Sequence, residues 1–227
     1  MHRFLISTDL PSQGIFILDK REVAHQMRRV LKMKKGEHIL LFNGTGKDFE
    51  MEIERLTDRF ITGRILRVSP NHTDPDREVH LYQSLLTKDK LGWVLGKGTE
   101  LGVKFFNPML SKYSMKKSLN RDRALRILTE ATEQSGQDRL PKLAELIDFE
   151  TAIKEVPSSS TFLIDPSGES WKEAPLKTIH LFVGPEGGFT AQEVKLAGEK
   201  GFKIVSFGPR TLRAETAAIV AASMCLK

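Results

Sequence analysis

Two short segments near the carboxyl terminus carry the residues best suited to chemistry. In Val183–Phe189 (VGPEGGF), three glycines and a proline surround one acid, Glu186, directly after an apolar run. In Pro209–Thr216 (PRTLRAET), Arg213 and Glu215 stand before a stretch that is almost wholly apolar. Glycines let main-chain N–H and C=O groups approach a ligand because no Cβ is in the way. Together the two segments indicate a cleft for a neutral or zwitterionic organic ligand.

Several other kinds of site are not indicated. The Gly-x-x-Gly-Gly spacing of residues 184–188 matches neither Gly-x-Gly-x-x-Gly nor the Walker pattern, so a dinucleotide or a nucleoside triphosphate is not predicted. The sequence shows no catalytic Ser-His-Asp set and no metal-ligand cluster. Two structural interpretations stay open from the residues alone. The glycines can form only a tight turn, and Glu215 can be a first-turn acid that pairs with Arg213.

The elements that must position these segments alternate along residues 79–227. Apolar strand candidates and helical segments follow one another, which predicts an α/β domain with a mostly parallel sheet covered on both faces. Ligands in such sheets lie beyond the carboxyl ends of the strands, and three predicted strands end in proline-containing loops. The strands are predicted at 79–86, 104–110, 161–165, 180–184 and 202–208, and the helices at 89–101, 120–136, 149–156, 190–200 and 214–226.

The first part of the chain, residues 1–69, has a different pattern of apolar and polar residues. Apolar and polar residues alternate on both sides of NGTGKD (43–48), a hairpin signature, which predicts a small antiparallel sheet or barrel. Before it, residues 21–36 form a predicted basic helix whose apolar face includes Met27 and Val30. Two interpretations of this helix stay open: its charged face is simply exposed to solvent, or it binds the backbone of a nucleic acid. Residues 70–78, polar and with no periodicity, are interpreted as a linker.

Composition narrows the class of protein. The chain has 227 residues, is 40% hydrophobic, and carries a net charge of +6 with a pI near 9.4, which favours a polyanionic partner. No apolar run is long enough to span a bilayer, and the amino terminus lacks the pattern of a signal peptide, so no membrane association is predicted. The single cysteine, Cys225, excludes an internal disulfide and suits a reducing cytoplasm.

Four ordered motifs carry a resemblance to a known family: GTELGV (98–103), EATEQSG (130–136), VGPEGGF (183–189) and FGPRTLRAETAA (207–218). With them, the chain resembles the ribosomal RNA small subunit methyltransferase E family of the SPOUT class over nearly its whole length. The resemblance implies a PUA-like amino-terminal barrel, an α/β domain tied in a carboxyl-terminal trefoil knot, and a homodimer. Residue patterns alone predict an ordinary doubly wound sheet, because knots are very rare.

The resemblance also implies a reaction. It is methylation of N3 of one uridine in 16S ribosomal RNA, on the assembled small ribosomal subunit in the cytoplasm, with S-adenosyl-L-methionine as cofactor and no metal. Two alternatives stay open. One is a SPOUT methyltransferase acting on another RNA base, and the other is a noncatalytic protein that binds ribosomal RNA or assists ribosome assembly.

The residues expected to act follow from matching the family motifs. Arg213 is expected to stabilise charge on the uracil oxygens, and Glu215 or Glu186 to accept or relay the N3 proton. Gln137-Asp138 replaces the Arg-Asn that commonly follows EQSG, so Arg139 is expected to substitute there. The expected cofactor-binding residues are Leu163, Ile164, Asp165, Val183, Gly184, Pro185, Glu186, Gly187, Gly188, Ser206, Phe207, Gly208, Leu212, Arg213, Glu215, Thr216 and Ala217. The expected RNA-binding residues are Arg28, Arg29, Lys32, Lys34, Lys35, Lys97, Glu100, Gln134 and Arg139.

Overall fold

The protein divides into two compact units. The computed structural model describes residues 1–172 and 175–226. One unit consists of Met1–Asp74 together with Thr132–Leu140, and the other of Pro75–Ala131 together with the residues from Pro141 onward. The sequence-based division placed all of 79–227 in one domain, whereas the structure packs residues 132–140 with the first unit.

A five-stranded mixed sheet forms the first unit. Its order is β1-β3-β4-β5-β2, with β1 parallel to β3 and the other pairs antiparallel. Along β4 and β5 buried and more exposed residues alternate, which is the period-2 pattern of a sheet with one face in the core. The hairpin predicted around residues 43–48 is the β3–β4 connection. The strands are β1 (His2–Leu5), β2 (Gly14–Leu18), β3 (His38–Phe42), β4 (Lys47–Leu56) and β5 (Ile61–Pro70).

The basic helix of this unit is not a regular α-helix. It starts as α1 (Arg21–His25) and continues as a π-helical turn, Gln26–Val30. There the Leu31 N–H donates to the Gln26 carbonyl at 3.0 Å, five residues back. Met27 is fully buried as predicted, but Val30 is 68% exposed. The prediction for Val30 was wrong because a π turn shifts the angular spacing on which the predicted apolar face depended.

Side-chain bonds hold residues 132–140 in the first unit. The Leu5 N–H donates to Glu133 Oε1 at 2.9 Å, and Arg3 donates to the Gln137 carbonyl at 3.0 Å. Arg3 also pairs with Asp48 at 2.6 Å. Gln137 and Asp138, which stand where the family commonly has Arg-Asn, are both buried in this unit.

A parallel sheet forms the second unit, as predicted, but it has seven strands among the described residues where five were predicted. Its order is β12-β10-β11-β6-β7-β8, with β9 also on β7, and every ladder is parallel. The strands are β6 (Glu78–Ser84), β7 (Phe105–Leu110), β8 (Lys142–Leu143), β9 (Ile147–Asp148), β10 (Thr161–Ser170), β11 (Thr178–Val183) and β12 (Lys203–Ser206). The helices are α2 (Lys90–Leu101), α3 (Arg121–Ser135), α4 (Phe149–Glu155), α5 (Ala191–Glu199) and α6 (Ala214–Cys225), and a short 3-10 turn spans Ser158–Ser160.

Helices cover both faces of this sheet. Residues of α4 and α5 pack with Tyr82, Met109 and Phe182 in one apolar cluster, whereas α6 packs on β6, β11 and α2. The predicted capping box of α5 is present, since Thr190 and Glu193 exchange bonds between side chain and backbone. No helix in the described ranges is long and apolar enough to cross a membrane.

Candidate active site

Three loops converge on one cavity at the carboxyl edge of the parallel sheet. They are the bulge that begins after Ile164 within β10 and the loops after β11 and β12, and these three strands lie side by side in the order β12-β10-β11. The cavity has a volume of about 470 Å³. It is lined by Ile164, Asp165, Pro166, Ser167, Val183, Gly184, Pro185, Glu186, Gly187, Gly188, Phe189, Ser206, Phe207, Gly208, Arg210, Thr211, Leu212, Ala214 and Ala217.

The glycine loop after β11 needs its glycines. Gly188 has φ +70°, a left-handed conformation, and its N–H donates to the Pro185 carbonyl at 2.9 Å to close a turn. A Cβ on Gly184 would lie 3.1 Å from the Gly188 carbonyl carbon. Side chains at these positions would therefore strain the turn or crowd it. Every residue of this loop from Val183 to Phe189 lines the cavity.

Glu186 turns its carboxylate toward the start of α2. Its Oε1 accepts from Thr87 N at 3.0 Å and Thr87 Oγ1 at 2.6 Å, and it pairs with Lys90 Nζ at 3.0 Å. Partial burial opposes ionisation of this carboxyl, but the bonds from Thr87 and Lys90 outweigh it and lower the pKa of Glu186 to about 2. Glu186 is therefore an ionised anchor and a weak base.

Gln83 forms hydrogen bonds to the start of the same loop, and the sequence did not predict this role for Gln83. This side chain is 2% exposed, and its Nε2 donates to the carbonyls of Ser84, Gly184 and Val183 at 3.0, 3.2 and 3.4 Å. These bonds fix the carbonyls at the point where β11 becomes the loop. No local pattern in the sequence identifies a contact between residues about a hundred positions apart.

The segment of β10 at the cavity is a bulge within that strand. Pairing with β12 shifts register between Ile164 and Glu169, and β10 continues to Ser170. Inside the bulge, Asp165 Oδ1 accepts from the Ser167 N–H at 2.9 Å and from its hydroxyl at 2.6 Å. Asp165 and Ile164 line the cavity, whereas Leu163 is fully buried in the core.

Arg213 and Glu215 stand where α6 begins. Arg213 is the N-cap residue and is exposed, and Glu215 lies in the first turn, where the helix dipole favours a negative charge. Glu215 Oε2 is buried and has no hydrogen-bond partner within the part of the chain that the structure describes. A buried, unpartnered carboxylate oxygen can accept a hydrogen bond or a proton.

The structure brings together most of the expected cofactor-binding residues, but not all. Leu163, Arg213, Glu215 and Thr216 are not among the residues that line the cavity. Six residues that line the cavity were not in the expected set, and all of them lie in the same three segments, close to expected residues. They are Pro166, Ser167, Phe189, Arg210, Thr211 and Ala214.

The expected RNA contacts of the first unit fall into two groups. Arg28 and Arg29 both pair with Asp58, at 2.9 and 3.1 Å, and the hydrogen bond from Arg29 lowers the pKa of that carboxyl. Lys32, Lys34 and Lys35 are exposed in the turn before β3. The lysines are thus presented to solvent, while the two arginines share one counter-charge.

The other expected RNA contacts are also on surfaces. In α2, Lys97 Nζ pairs with Glu100 Oε1 at 2.7 Å, so each neutralises the other. Gln134 and Arg139 are exposed in the first unit, and Arg139 lies 3.5 Å from Asp138 Oδ2. Within the described residues, no group of three or more His, Cys, Asp or Glu is placed to hold a metal ion.

Comparison with known proteins gives a consistent result over both units. A family model described as an RNA methyltransferase domain matches residues 73–226, and one described as an RNA methyltransferase PUA domain matches residues 18–66. A ribosomal RNA small subunit methyltransferase E of Aquifex aeolicus is 30% identical, covering 94% of each chain.

Two solved structures are similar along nearly the whole chain. A ribosomal RNA small subunit methyltransferase E from Neisseria gonorrhoeae bound to S-adenosyl methionine is 29% identical, with a TM-score of 0.91, covering 98% of this chain and 95% of the other. A putative methyltransferase from Legionella pneumophila in complex with bound SAM is also 29% identical, with a TM-score of 0.90, covering 97% and 95%.

Proposed function

The chain belongs to the RNA methyltransferase family, and from this membership we propose that it methylates N3 of one uridine in 16S ribosomal RNA, with S-adenosyl-L-methionine as methyl donor. The observation that carries the proposal is the convergence of three neighbouring strand ends on one cavity lined by the motif residues. The similar Neisseria enzyme binds S-adenosyl methionine in its structure. The name of that enzyme identifies small-subunit ribosomal RNA as its own substrate, which supports the same substrate here.

The cavity fits such a cofactor. Its volume of about 470 Å³ falls in the range of small-molecule sites, roughly 300–1,000 Å³. A Cβ on Gly187 would lie 3.0 Å from Tyr113 Cβ, so the close approach of the wall depends on glycine. The loop backbone at 183–188, with Asp165, Phe207 and Leu212, would hold the cofactor, which supplies an electrophilic methyl group when bound.

The protein's own residues must handle the proton and the charge of the uracil. The N3–H has to lose its proton before the nitrogen can act as a nucleophile. Glu215 is the better proton acceptor of the two candidates, because its Oε2 is buried without a partner in the described residues, while contacts from Thr87 and Lys90 to Glu186 Oε1 stabilise the ionised form of Glu186. Arg213 is exposed beside it and would stabilise negative charge on the uracil oxygens.

The finer organisation is also part of the proposal. Residues 1–69 act as a PUA-like RNA-binding domain, 70–78 as a linker and 79–227 as the methyltransferase domain, supported by family matches at 18–66 and 73–226. The methyltransferase domain carries the trefoil knot and forms the homodimer. The enzyme works in the cytoplasm on the small ribosomal subunit.

The test uses small ribosomal subunits from a strain that lacks the gene for this protein. The purified protein should add one methyl group per 16S RNA when S-adenosylmethionine is supplied, and mass mapping should place it on a uridine. Methylation of another base would support the alternative acceptor. Cofactor binding without any transfer to RNA would support a noncatalytic role.

Arg213→Ala tests the proposed charge stabilisation. Single-turnover methyl transfer at saturating RNA and cofactor should fall by roughly 100-fold or more, which is the usual cost of losing one preorganised donor at a developing anion. Lys195→Ala, on the exposed side of α5, is a charge-matched control. An unchanged rate for Arg213→Ala would remove that residue from the mechanism.

A further inference from the structure

The loop between β6 and α2 carries one charge that is not neutralised by its neighbours. Lys90 pairs with Glu186 at 3.0 Å, and Asp89 pairs with Arg123 at 2.6 Å. Lys88 lies between them and is exposed. Among the described residues, no carboxylate lies within ion-pair distance of its ammonium group. The loop therefore presents a single uncompensated cation.

The backbone at Lys88 is unusual. Its φ is +54°, and within the described ranges only Lys32 shares a positive φ among residues other than glycine. In this left-handed region the Cβ of an ordinary residue crowds the backbone, and glycine is the relaxed choice. Non-glycine residues in such conformations cluster at functional sites, where the surrounding structure holds them in place.

The surrounding structure does hold this loop. The N–H and hydroxyl of Thr87, the residue before Lys88, both donate to Glu186 Oε1, at 3.0 and 2.6 Å. Glu186 in turn lines the cofactor cavity. The backbone that carries Lys88 is thus tied through Thr87 to a residue that lines the cavity, and the Lys88 side chain is exposed to solvent beside this contact.

We propose that Lys88 contacts a backbone phosphate of the substrate RNA beside the cofactor cavity. This inference rests on the proposed function, because it takes ribosomal RNA as the substrate. A lysine ammonium is a compact point charge with three donors, which suits a phosphate and carries no sequence information. Lys88 would therefore position the RNA strand and leave the choice of base to other groups.

The experiment compares Lys88→Gly, Lys88→Arg and Lys154→Ala. Lys154 is exposed near the end of α4, which leads to the amino end of β10 and so to the opposite edge of the sheet. RNA affinity is measured with 16S RNA in small subunits over a series of salt concentrations. Thermal unfolding and calorimetric binding of S-adenosylmethionine are measured on the same variants.

Lys88→Gly should leave the melting temperature unchanged or raise it, because glycine relaxes the left-handed backbone. Its affinity for RNA should nevertheless fall, and the slope of log affinity against log salt should become shallower by about one phosphate contact, roughly 0.7–0.9. Lys88→Arg should keep the slope of the unmodified protein, and so should Lys154→Ala.

Three outcomes would overturn the proposal. The first is a Lys88→Gly protein with the full salt slope, and the second is a Lys88→Arg protein that loses affinity as Lys88→Gly does. The third is weaker binding of S-adenosylmethionine with unchanged RNA affinity, which would assign the cation to the cofactor. Failure of the unmodified protein to methylate 16S RNA would instead contradict the proposed function, so the two failures are distinguishable.

Discussion

The two candidate acids, Glu186 in the cavity wall and Glu215 in the first turn of α6, differ in what surrounds them. Glu186 accepts bonds from Thr87 and Lys90, which keep its pKa near 2, so at neutral pH it is fully ionised and accepts protons poorly. Glu215 has one buried oxygen without a partner in the described structure. The same residue type is thus a structural anchor in one place and an available acceptor in the other.

Glu215→Gln should therefore slow single-turnover methyl transfer by about 100-fold or more, because general-base catalysis contributes on that order. Glu186→Gln should act chiefly on the loop and weaken cofactor binding, since the neutral amide loses the ion pair with Lys90 and the charge that strengthens the bonds from Thr87. Rapid-quench kinetics separates the two effects. Glu199→Gln, on the exposed face of α5, is the matched control, and equal rate losses for all three variants would contradict the assignment.

Among the elements, the helices were predicted well, because their formation depends mainly on residues close together in sequence. The five helices predicted between residues 79 and 227 all form within two residues of their expected ends, and in α5 the predicted capping box fixes the start. β10 was predicted to stop at Asp165 but runs to Ser170. Pro166 and Gly168 look like breakers in sequence, whereas pairing with β12 resumes after the bulge.

What the sequence could not show depends on contacts between distant segments. The contact of Thr87 with Glu186 and that of Gln83 with the glycine loop each join residues about a hundred positions apart. Residues 132–140 join the first unit through bonds to Arg3 and Leu5. These partners are set by tertiary packing, which no spacing rule within one segment records.

Strands β6 and β11 carry a histidine pair that should make stability depend on pH. The rings of His80 and His180 are 4.6 Å apart, and His80 also contacts Glu78 at 2.9 Å and stacks on Phe105. Burial, and next the charge of His80, lower the pKa of His180 to about 4, against 6.5 for an ordinary histidine. The unfolded chain therefore binds a proton more readily between these two values, and stability must fall as pH falls from 6.5 to 4.

His180 should lower the free energy of unfolding by about 3 kcal/mol as the pH falls across that interval. Urea unfolding at a series of pH values measures it. His180→Phe should flatten the dependence relative to the unmodified protein, because the phenyl ring cannot take a proton. His72→Phe removes a histidine that lies outside the sheet and serves as the control. Parallel pH curves for the unmodified protein and His180→Phe would refute this role of His180.

The turn before β3 should supply most of the salt-dependent RNA affinity of the first unit. Lys34 and Lys35 are exposed there, while Arg28 and Arg29 share Asp58. Each lysine that neutralises a phosphate releases counterions, so Lys34→Ala combined with Lys35→Ala should reduce the salt slope by about 1.5. Filter binding at several salt concentrations checks this. The pair Lys154→Ala and Lys195→Ala removes the same charge from the second unit and should leave the slope intact.

The proposed assembly of the whole molecule concerns the apolar surface of α2 and α6. These helices pack on each other, and they expose Trp93 by 46% and Met224 by 38%. Exposed aromatic and methionine side chains on neighbouring elements are typical of subunit interfaces. Trp93→Glu combined with Met224→Glu should therefore convert a dimer into a monomer in sedimentation equilibrium. Leu196→Glu introduces one carboxylate in place of an exposed apolar side chain on α5, where the side chain is 36% exposed, and should leave the dimer intact. A monomeric unmodified protein, or a double variant that still dimerises, would show that this surface does not join two copies.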